Sequence, residues 1–339
     1  FARPTRDSSL RANGWAVESR PMARTALNVA RFTTALLLLG SAGWVARFYS
    51  GNGPGSHLNP KGEIAPAASG TFTIVTLSDL KARSGVLLNA YDDARANNAD
   101  VIIVGGDLVQ QDSDFEYQYA MRLLSLAPEG IPLFNTIGNH EAWDRDNHHE
   151  VAQYRKYFGN EESWFETKGV LFVSLDTSDY HFDADRAARA EKVLRERAAS
   201  ARYRVLLSHV LPQVGKLGKK GHEKELSDQE SKLILGLVTS YKIDLLLGGH
   251  YHGYAEESYA GALMLLTGGG GATLDDPAAG YHYCRVTLGP GGPTHVKIAS
   301  SAYGLEWIRY QVLRYWYAFL GPLALLVIVL QLVARRKKT

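Results

Sequence analysis

An α/β domain of two packed β-sheets with helices outside is the fold this sequence predicts, and three observations carry that expectation. Five short apolar runs each close on a polar residue and are bounded by Gly, Asp or Asn, the pattern of buried strands. Stretches of helical length separate the first of these runs. Further strand-like runs crowd the end of the domain, and alternation followed by a strand-rich end suggests two sheets in contact.

The elements follow in order. TIVTLSD closes at Asp79, with a helix expected over 87–98. VIIVGGD closes at Asp107, with a helix over 115–126, and PLFNTIGNH closes at Asn139 and His140. Residues 141–164 read as a long loop holding Trp143, His148, His149, Tyr154, Tyr157 and Trp164. A strand over 170–175 and a solvated amphipathic helix over 184–199 come next. RVLLSH closes at His209. The loop 214–225 after it brings Lys216, Lys219 and Lys220, either to solvent or to an anionic group. IDLLLGGHYH closes at His250 and His252, and strands over 262–267, 281–288 and 295–299 complete the domain. TGGGGA, 267–272, lacks the Lys and Ser/Thr of a nucleotide-binding P-loop and reads as a flexible turn.

Composition narrows the class. The chain has 339 residues, 45% hydrophobic and 21% charged, which suits one sizeable α/β domain with attachments. A net charge of +2 with no long basic patch gives no electrostatic case for nucleic acid. The single cysteine, Cys284, rules out an intramolecular disulfide and reads as a small buried apolar residue.

The ends read differently from the middle. Residues 315–334 are uncharged and long enough to span a bilayer, flanked by Tyr315, Trp316 and Tyr317 and then by Arg335, Arg336, Lys337 and Lys338. An apolar stretch over 32–46 follows Arg20, Arg24 and Arg31, so 25–49 reads as a second spanning helix or as a signal peptide. The expected organisation is an unstructured arm over 1–24, this segment, a linker over 50–70 and a domain over 71–302. A juxtamembrane segment over 303–314, the spanning helix 315–334 and a basic tail over 335–339 follow. Cations outside both apolar segments place both termini in the cytoplasm and the domain on the far side, with a cleaved signal giving the domain the same placement.

Ligands of open α/β sheets bind beyond the carboxyl ends of the strands. The five runs would bring two aspartates, one asparagine and four histidines to one sheet edge, and that points to metal. Any one of these tips alone is an ordinary turn. His250 and His252 say more, because residues i and i+2 on extended chain share a face.

The ordered series resembles the calcineurin-like metallophosphoesterases over roughly 71–300, whose pattern is D-x-H, G-D, G-N-H-[DE], H and G-H-x-H. The resemblance implies a four-layer αββα sandwich with two mixed sheets and a site for two divalent ions. It implies that Asp107 bridges them, that Asp79 and His252 complete one, and that Asn139, His209 and His250 complete the other. His140 would interact with the phosphoryl group and protonate the leaving oxygen, a task suited to a side chain that titrates near neutrality. Two ions about 3.5–4 Å apart can activate water and neutralise the equatorial oxygens of an in-line displacement. Mixed O and N donors suit Mn, Fe or Zn. Glu141 reads either as a solvated start to the next loop or as a group orienting His140.

One position departs from the pattern: Lys81 stands where the first motif has histidine. An ammonium with a pKa of about 10.4 does not ligate metal. Either water completes the first ion, or Lys81 supplies charge in its place and contacts the phosphate, or the site is degraded. The expectation is a membrane-anchored hydrolase of a phosphodiester, pyrophosphate or phosphomonoester. Its substrate is open between a lipid head group and a nucleotide, among others, and its oligomeric state is open. The alternative is a binding or sensor module on a weakened site.

Overall fold

The central strands are mostly apolar and buried because both their faces are covered. The computed structural model describes residues 58–143, 149–217 and 225–301, together with positions 32, 40, 308, 311, 315, 325, 328 and 329. In chain order the described elements are β1 (Gly62–Ala65), β2 (Phe72–Leu77), α1 (Gly85–Ala96), β3 (Val101–Val104), α2 (Asp114–Leu124) and β4 (Leu133–Asn135). Then come α3 (Asn139–Ala142), α4 (Ala152–Phe158), β5 (Ser163–Thr167), β6 (Val170–Leu175), α5 (Ala184–Arg197), β7 (Tyr203–Ser208), α6 (Asp228–Ser240) and β8 (Leu245–Gly248). The last are β9 (Tyr254–Tyr259), β10 (Ala262–Thr267), a 3₁₀ turn at Pro277–Ala279, β11 (His282–Gly289) and β12 (Gly292–Ala299).

The strands form two mixed sheets, one of five in the order β12-β11-β2-β3-β4 and one of seven in the order β1-β5-β6-β7-β8-β10-β9. In the smaller, β2, β3 and β4 run parallel, while β11 is antiparallel to β2 and to β12. In the larger, β6, β7, β8 and β10 run parallel, with antiparallel strands β5 and β9 beside them. Alternation along β6 shows the layering. Val170 and Phe172 enter the core between the sheets, while Leu171, Val173 and Leu175 join the core beneath α5 and α6. Phe172 stacks on Phe165 at 4.5 Å between ring centroids and reaches Phe72 of the other sheet at 6.0 Å. Helix α1 packs on β2, β3 and β11, and α5 packs on β6 and α6. Helices therefore cover the outer face of each sheet, the arrangement expected from the sequence.

Several expectations need correction. The 50–70 segment read as a linker contains β1, which pairs in parallel with β5, and Leu58 bridges to Leu133. Four residues with two exposed positions give too short a pattern to read, and pairing with a neighbour makes the strand. The stretch 141–164 holds the end of α3, all of α4 and the start of β5. Helix α4 is set by Tyr154 and Phe158, which bury against its neighbours, and by Tyr157 stacking on Tyr117 of α2 at 5.1 Å. Helix α6 carries a signal that the apolar reading passed over, a capping box in which Ser227 and Glu230 satisfy each other's backbone N–H groups. β9 is a half-exposed edge strand whose two glutamates broke the apolar pattern.

The turn 267–272 is pinned rather than flexible. Gly270 N donates to Ser78 O at 2.9 Å and Ala272 N to Asp79 O at 2.8 Å. A Cβ on Gly268 or Gly270 would stand 2.1 or 2.2 Å from backbone oxygen, so bare glycine is what lets the two chains meet.

The chain divides into a unit of Phe48–Arg314, which carries this fold, and a unit of Phe1–Arg47 with Tyr315–Thr339. The arm 1–24, the apolar segment 25–49, the juxtamembrane segment 303–314, the segment 315–334 and the tail 335–339 lie outside the described residues, isolated positions aside. Among the described residues no helix is long and apolar enough to cross a membrane.

Candidate metal centre

Five strand ends meet at one place, and they come from both sheets rather than from one edge. β2, β3 and β4 of the smaller sheet lead into Asp79, Asp107 and Asn139, while β7 and β8 of the larger lead into His209, His250 and His252. Packing the sheets face to face puts their carboxyl ends side by side, so the site is a product of the layering.

The backbone bends sharply to aim these side chains. Asp79, Asp107 and His250 have φ of 63°, 54° and 71°, the left-handed region that costs a non-glycine residue about 1–3 kcal/mol where the surroundings impose it. Cross-strand bonds hold the bends: Asp79 N to Gly106 O at 3.1 Å, Lys81 N to Asp107 O at 2.9 Å and Ala82 N to Leu108 O at 2.8 Å. His250 N donates to Asp79 Oδ2 at 3.0 Å, tying the two sheets together inside the site.

Two sets of donors result. In the first, one ligand atom each of Asp79, Asp107 and His252 lie within 4.8 Å of one another, with His252 Nε2 3.5 Å from Asp79 Oδ1. In the second, Asn139 Oδ1 lies 3.1 Å from His209 Nε2 and 3.0 Å from His250 Nδ1, and His209 Nε2 lies 3.4 Å from Asp107 Oδ1. Donors bonded at about 2.0–2.1 Å to one tetrahedral or octahedral ion stand about 2.9–3.4 Å apart, and these three pairs have that spacing. The ring nitrogens are preset. His209 Nδ1 donates to Gly105 O at 2.7 Å and His252 Nδ1 to Thr273 O at 2.8 Å, which leaves Nε2 of each bare toward the carboxylates.

The buried oxygens supply the test of fit. Asp79 Oδ1 and Asp107 Oδ2 are buried and make no hydrogen bond among the described residues. Leaving a buried carboxylate oxygen bare is costly unless a cation takes it. Both carboxyls are nonetheless held ionised. Burial works to raise each, and for Asp107 the nearby His209, His140 and Lys81 outweigh it, while for Asp79 the contacts with His252 and His209 do so. Two ionised carboxylates with bare oxygens, one amide oxygen and three imidazoles fit a divalent cation of the Mn, Fe or Zn kind.

His140 stands apart from both sets. Its Nδ1 donates to Gln110 O at 2.7 Å, and its Nε2 lies 3.9 Å from Asp107 Oδ2 on a partly exposed side chain. Lys81 is inside the site, its Nζ 3.6 Å from Asp107 Oδ2. Lys216 of the lysine loop lies against β9, its backbone N donating to Glu257 Oε2, and Lys219, Lys220 and His148 lie outside the described residues. His149 pairs with Trp143 and lines a cavity of about 520 Å³ beside Arg155 and Arg186 rather than joining the donors.

The sequence reading missed several contributors. Glu141 is fully buried rather than solvated. Its Oε2 accepts from Asp107 N and Gly138 N at 2.8 Å each, and its Oε1 from Val109 N at 3.0 Å. It bolts the Asp107 turn to the Asn139 turn. Burial and the adjacent Asp107 charge push its pKa up to about 8 against those donors. Glu141→Gln is expected to turn an amide N–H₂ toward backbone donors and lower stability by about 1–3 kcal/mol, the cost of a buried unsatisfied group. Urea unfolding of the metal-free protein measures it, and an unchanged midpoint would mean the carboxylate does not hold the turns. Asp275 accepts from His252 N at 3.0 Å and so steers that ring. Tyr180, at φ 64°, stacks on Trp143 and lies 5.5 Å from the His250 ring, forming an aromatic wall beside the donors. No periodic signal marks Tyr180, which sits in the turn after β6.

Known proteins resemble this chain to different depths. The family model of calcineurin-like phosphoesterases matches residues 72–254, more than half of the chain. Serine/threonine-protein phosphatase CPPED1 of Bos taurus is 24% identical over 177 residues, 49% of this chain and 56% of that protein. The purple acid phosphatase PPD1 from yellow lupin (Lupinus luteus) superposes with a TM-score of 0.53 at 17% identity, over 66% of this chain and 50% of that one. The chain thus spans about half the length of each, and the lupin likeness is one of fold.

Proposed function

Because the chain belongs to the calcineurin-like phosphoesterase family, we propose that it is a metal-dependent hydrolase of a phosphoester, held at a membrane by its apolar ends. The observation that carries the reading is the convergence of Asp79, Asp107, Asn139, His209, His250 and His252 around two bare, buried carboxylate oxygens. Asp107 lies between the donor sets, with Oδ1 toward His209 and Oδ2 toward Lys81. Divalent metal held by these donors would supply Lewis acidity toward phosphoryl oxygens and a lowered pKa for attacking water.

The chain's own residues do the rest. His140 is anchored through Nδ1 to Gln110 O, which aims Nε2 into the opening beside Asp107. A proton on Nε2 is delivered to the departing oxygen. The Asp107 carboxylate receives His140 N at 2.9 Å, so the histidine moves with the centre it serves. Trp143 and Tyr180 wall one side and limit the approach of bulk water. The substrate is a phosphoester, and attachment beside a bilayer favours a lipid head group over a soluble nucleotide or a phosphoprotein such as the bovine relative's name indicates. The apolar segments 315–334 and 25–49, the first read as a spanning helix and the second as a spanning helix or a signal peptide, have cations outside both and support a domain facing away from the cytoplasm.

The test uses the full chain in detergent. Hydrolysis of an aryl phosphodiester is expected with Mn²⁺ and is expected to vanish with chelator. Metal-loaded protein that cleaves neither aryl diesters nor aryl monoesters would remove the hydrolase reading in favour of a binding module. His140→Ala is expected to lower kcat by about 10²–10⁴-fold with an alkyl leaving group and by far less with nitrophenolate, which leaves without a proton. Equal losses on both substrates would assign His140 to binding instead.

A further inference from the structure

We propose that Lys81 makes this a one-ion centre. Asp107, Asn139, His209 and His250 hold a single divalent cation. The Lys81 ammonium is the resident cation of the neighbouring set and takes a phosphoryl oxygen of the substrate. This rests on the hydrolase reading above and deepens it.

Three features of the geometry point there. The two donor sets are unequal in number: the Asn139 set offers four donors, in which Asn139 Oδ1 lies 3.1 Å from His209 Nε2 and 3.0 Å from His250 Nδ1 and His209 Nε2 lies 3.4 Å from Asp107 Oδ1, while the Asp79 set offers three, all within 4.8 Å of one another. The position that would have completed the weaker set is Lys81. Its ammonium is also fixed in place. The Lys81 backbone lies at φ 45° with its N–H bonded to Asp107 O at 2.9 Å, and Ala82 N is bonded to Leu108 O. With the main chain tied on both sides and the side chain only 12% exposed, the ammonium has little freedom to swing into solvent. Finally, the ammonium and any ion of the weaker set would compete for one oxygen. Nζ lies 3.6 Å from Asp107 Oδ2, the same buried oxygen that has no hydrogen-bond donor. A divalent ion bound there would stand beside a fixed positive charge where water is excluded and repulsion is least screened. Conversely, 3.6 Å is an ion-pair contact too long for a hydrogen bond, so the ammonium protons remain available to an incoming phosphoryl oxygen.

Metal content of the full chain decides it, independently of turnover. Apo-protein is loaded with excess Mn²⁺, desalted, and read by atomic absorption and by electron paramagnetic resonance. One Mn²⁺ per chain with the signal of an isolated ion is expected. Lys81→His is expected to take up two, with the signal of an exchange-coupled pair. Lys81→Gln is expected to keep one ion and to bind inorganic phosphate about 10- to 100-fold more weakly, as loss of a charge-assisted hydrogen bond requires. Two ions in the unaltered chain would overturn the proposal, and that count needs no variant to fold. Unchanged phosphate affinity in Lys81→Gln would overturn the role given to the ammonium. One ion without hydrolysis would uphold the one-ion centre while ending the hydrolase reading, and no ion at all would end both.

Discussion

Asp107→Asn is expected to lower turnover of the metal-loaded full chain by about 10³-fold or more, the order lost when a central electrostatic group of a reaction site is removed. No other residue in the centre serves so many partners. Its Oδ1 receives His140 N and faces His209 Nε2, and its Oδ2 faces Lys81. An asparagine of the same shape keeps one oxygen and turns an N–H₂ toward either the imidazole or the ammonium. Toward the ammonium donor then meets donor, toward the imidazole the amide occupies the bare His209 Nε2 and clashes with the His140 N–H, and in either case Lys81 loses the carboxylate that neutralises it. The same substitution is expected to change the acid limb of stability in the metal-free protein. Asp107 and Asp79 are held below the ordinary carboxyl value of 3.8, so their contribution is present above that value and is lost as pH falls through the lower folded one. Asp107→Asn removes one of these two titrations and should flatten the fall of stability below about pH 4. Urea midpoints from pH 3 to 7, compared for the two proteins without metal, read this directly. An unchanged slope would mean that Asp107 is not held ionised in the fold.

Gly249→Ala is expected to disable the site by steric means alone. A Cβ at Gly249 would stand 2.0 Å from Ser78 Oγ and 2.3 Å from Asp79 Oδ2. Ser78 has no room to give: it is buried and its hydroxyl donates to Gly105 O at 3.0 Å. Either the β2 turn or the β8 turn must move, and each carries a donor, so Asp79 and His250 separate. Overpacking of this kind costs about 1–3 kcal/mol, and a misplaced donor also weakens metal binding. Gly236→Ala in α6 is the control. Nothing lies within 4 Å of a Cβ there, and replacing a mid-helix glycine should raise stability by about 0.5–1 kcal/mol. If Gly249→Ala unfolds at the wild-type midpoint and binds Mn²⁺ as well, the contact between the two turns is looser than the structure has it.

These expectations divide between what residue order makes visible and what packing creates. Strands ending at Asp79, Asp107, His209 and His250 could be read because a buried strand is a short apolar run and its polar end stands out against it. Helix α6 could have been read too, from the Ser227 and Glu230 box, had capping been weighed beside apolar period. β1 and β9 could not, because an edge strand keeps one side in solvent and carries no run of apolar residues. Glu141 gave no sign of its burial, since a carboxylate after a histidine looks the same in sequence whether it meets water or three backbone N–H groups. Tyr180 was equally silent, because its place beside His250 depends on a turn of 250-side and 180-side chains brought together across the larger sheet.

Sequence alone determined the donor types, their order and the lysine at position 81, because each follows from local chemistry at a strand end. Only the tertiary structure decided that the donors come from two sheets, that they divide into unequal sets, and that the Lys81 ammonium faces Asp107. The physical reason is distance along the chain. Asp79 and His250 are brought within a hydrogen bond of each other by the packing of one sheet on the other, and no local propensity encodes that contact.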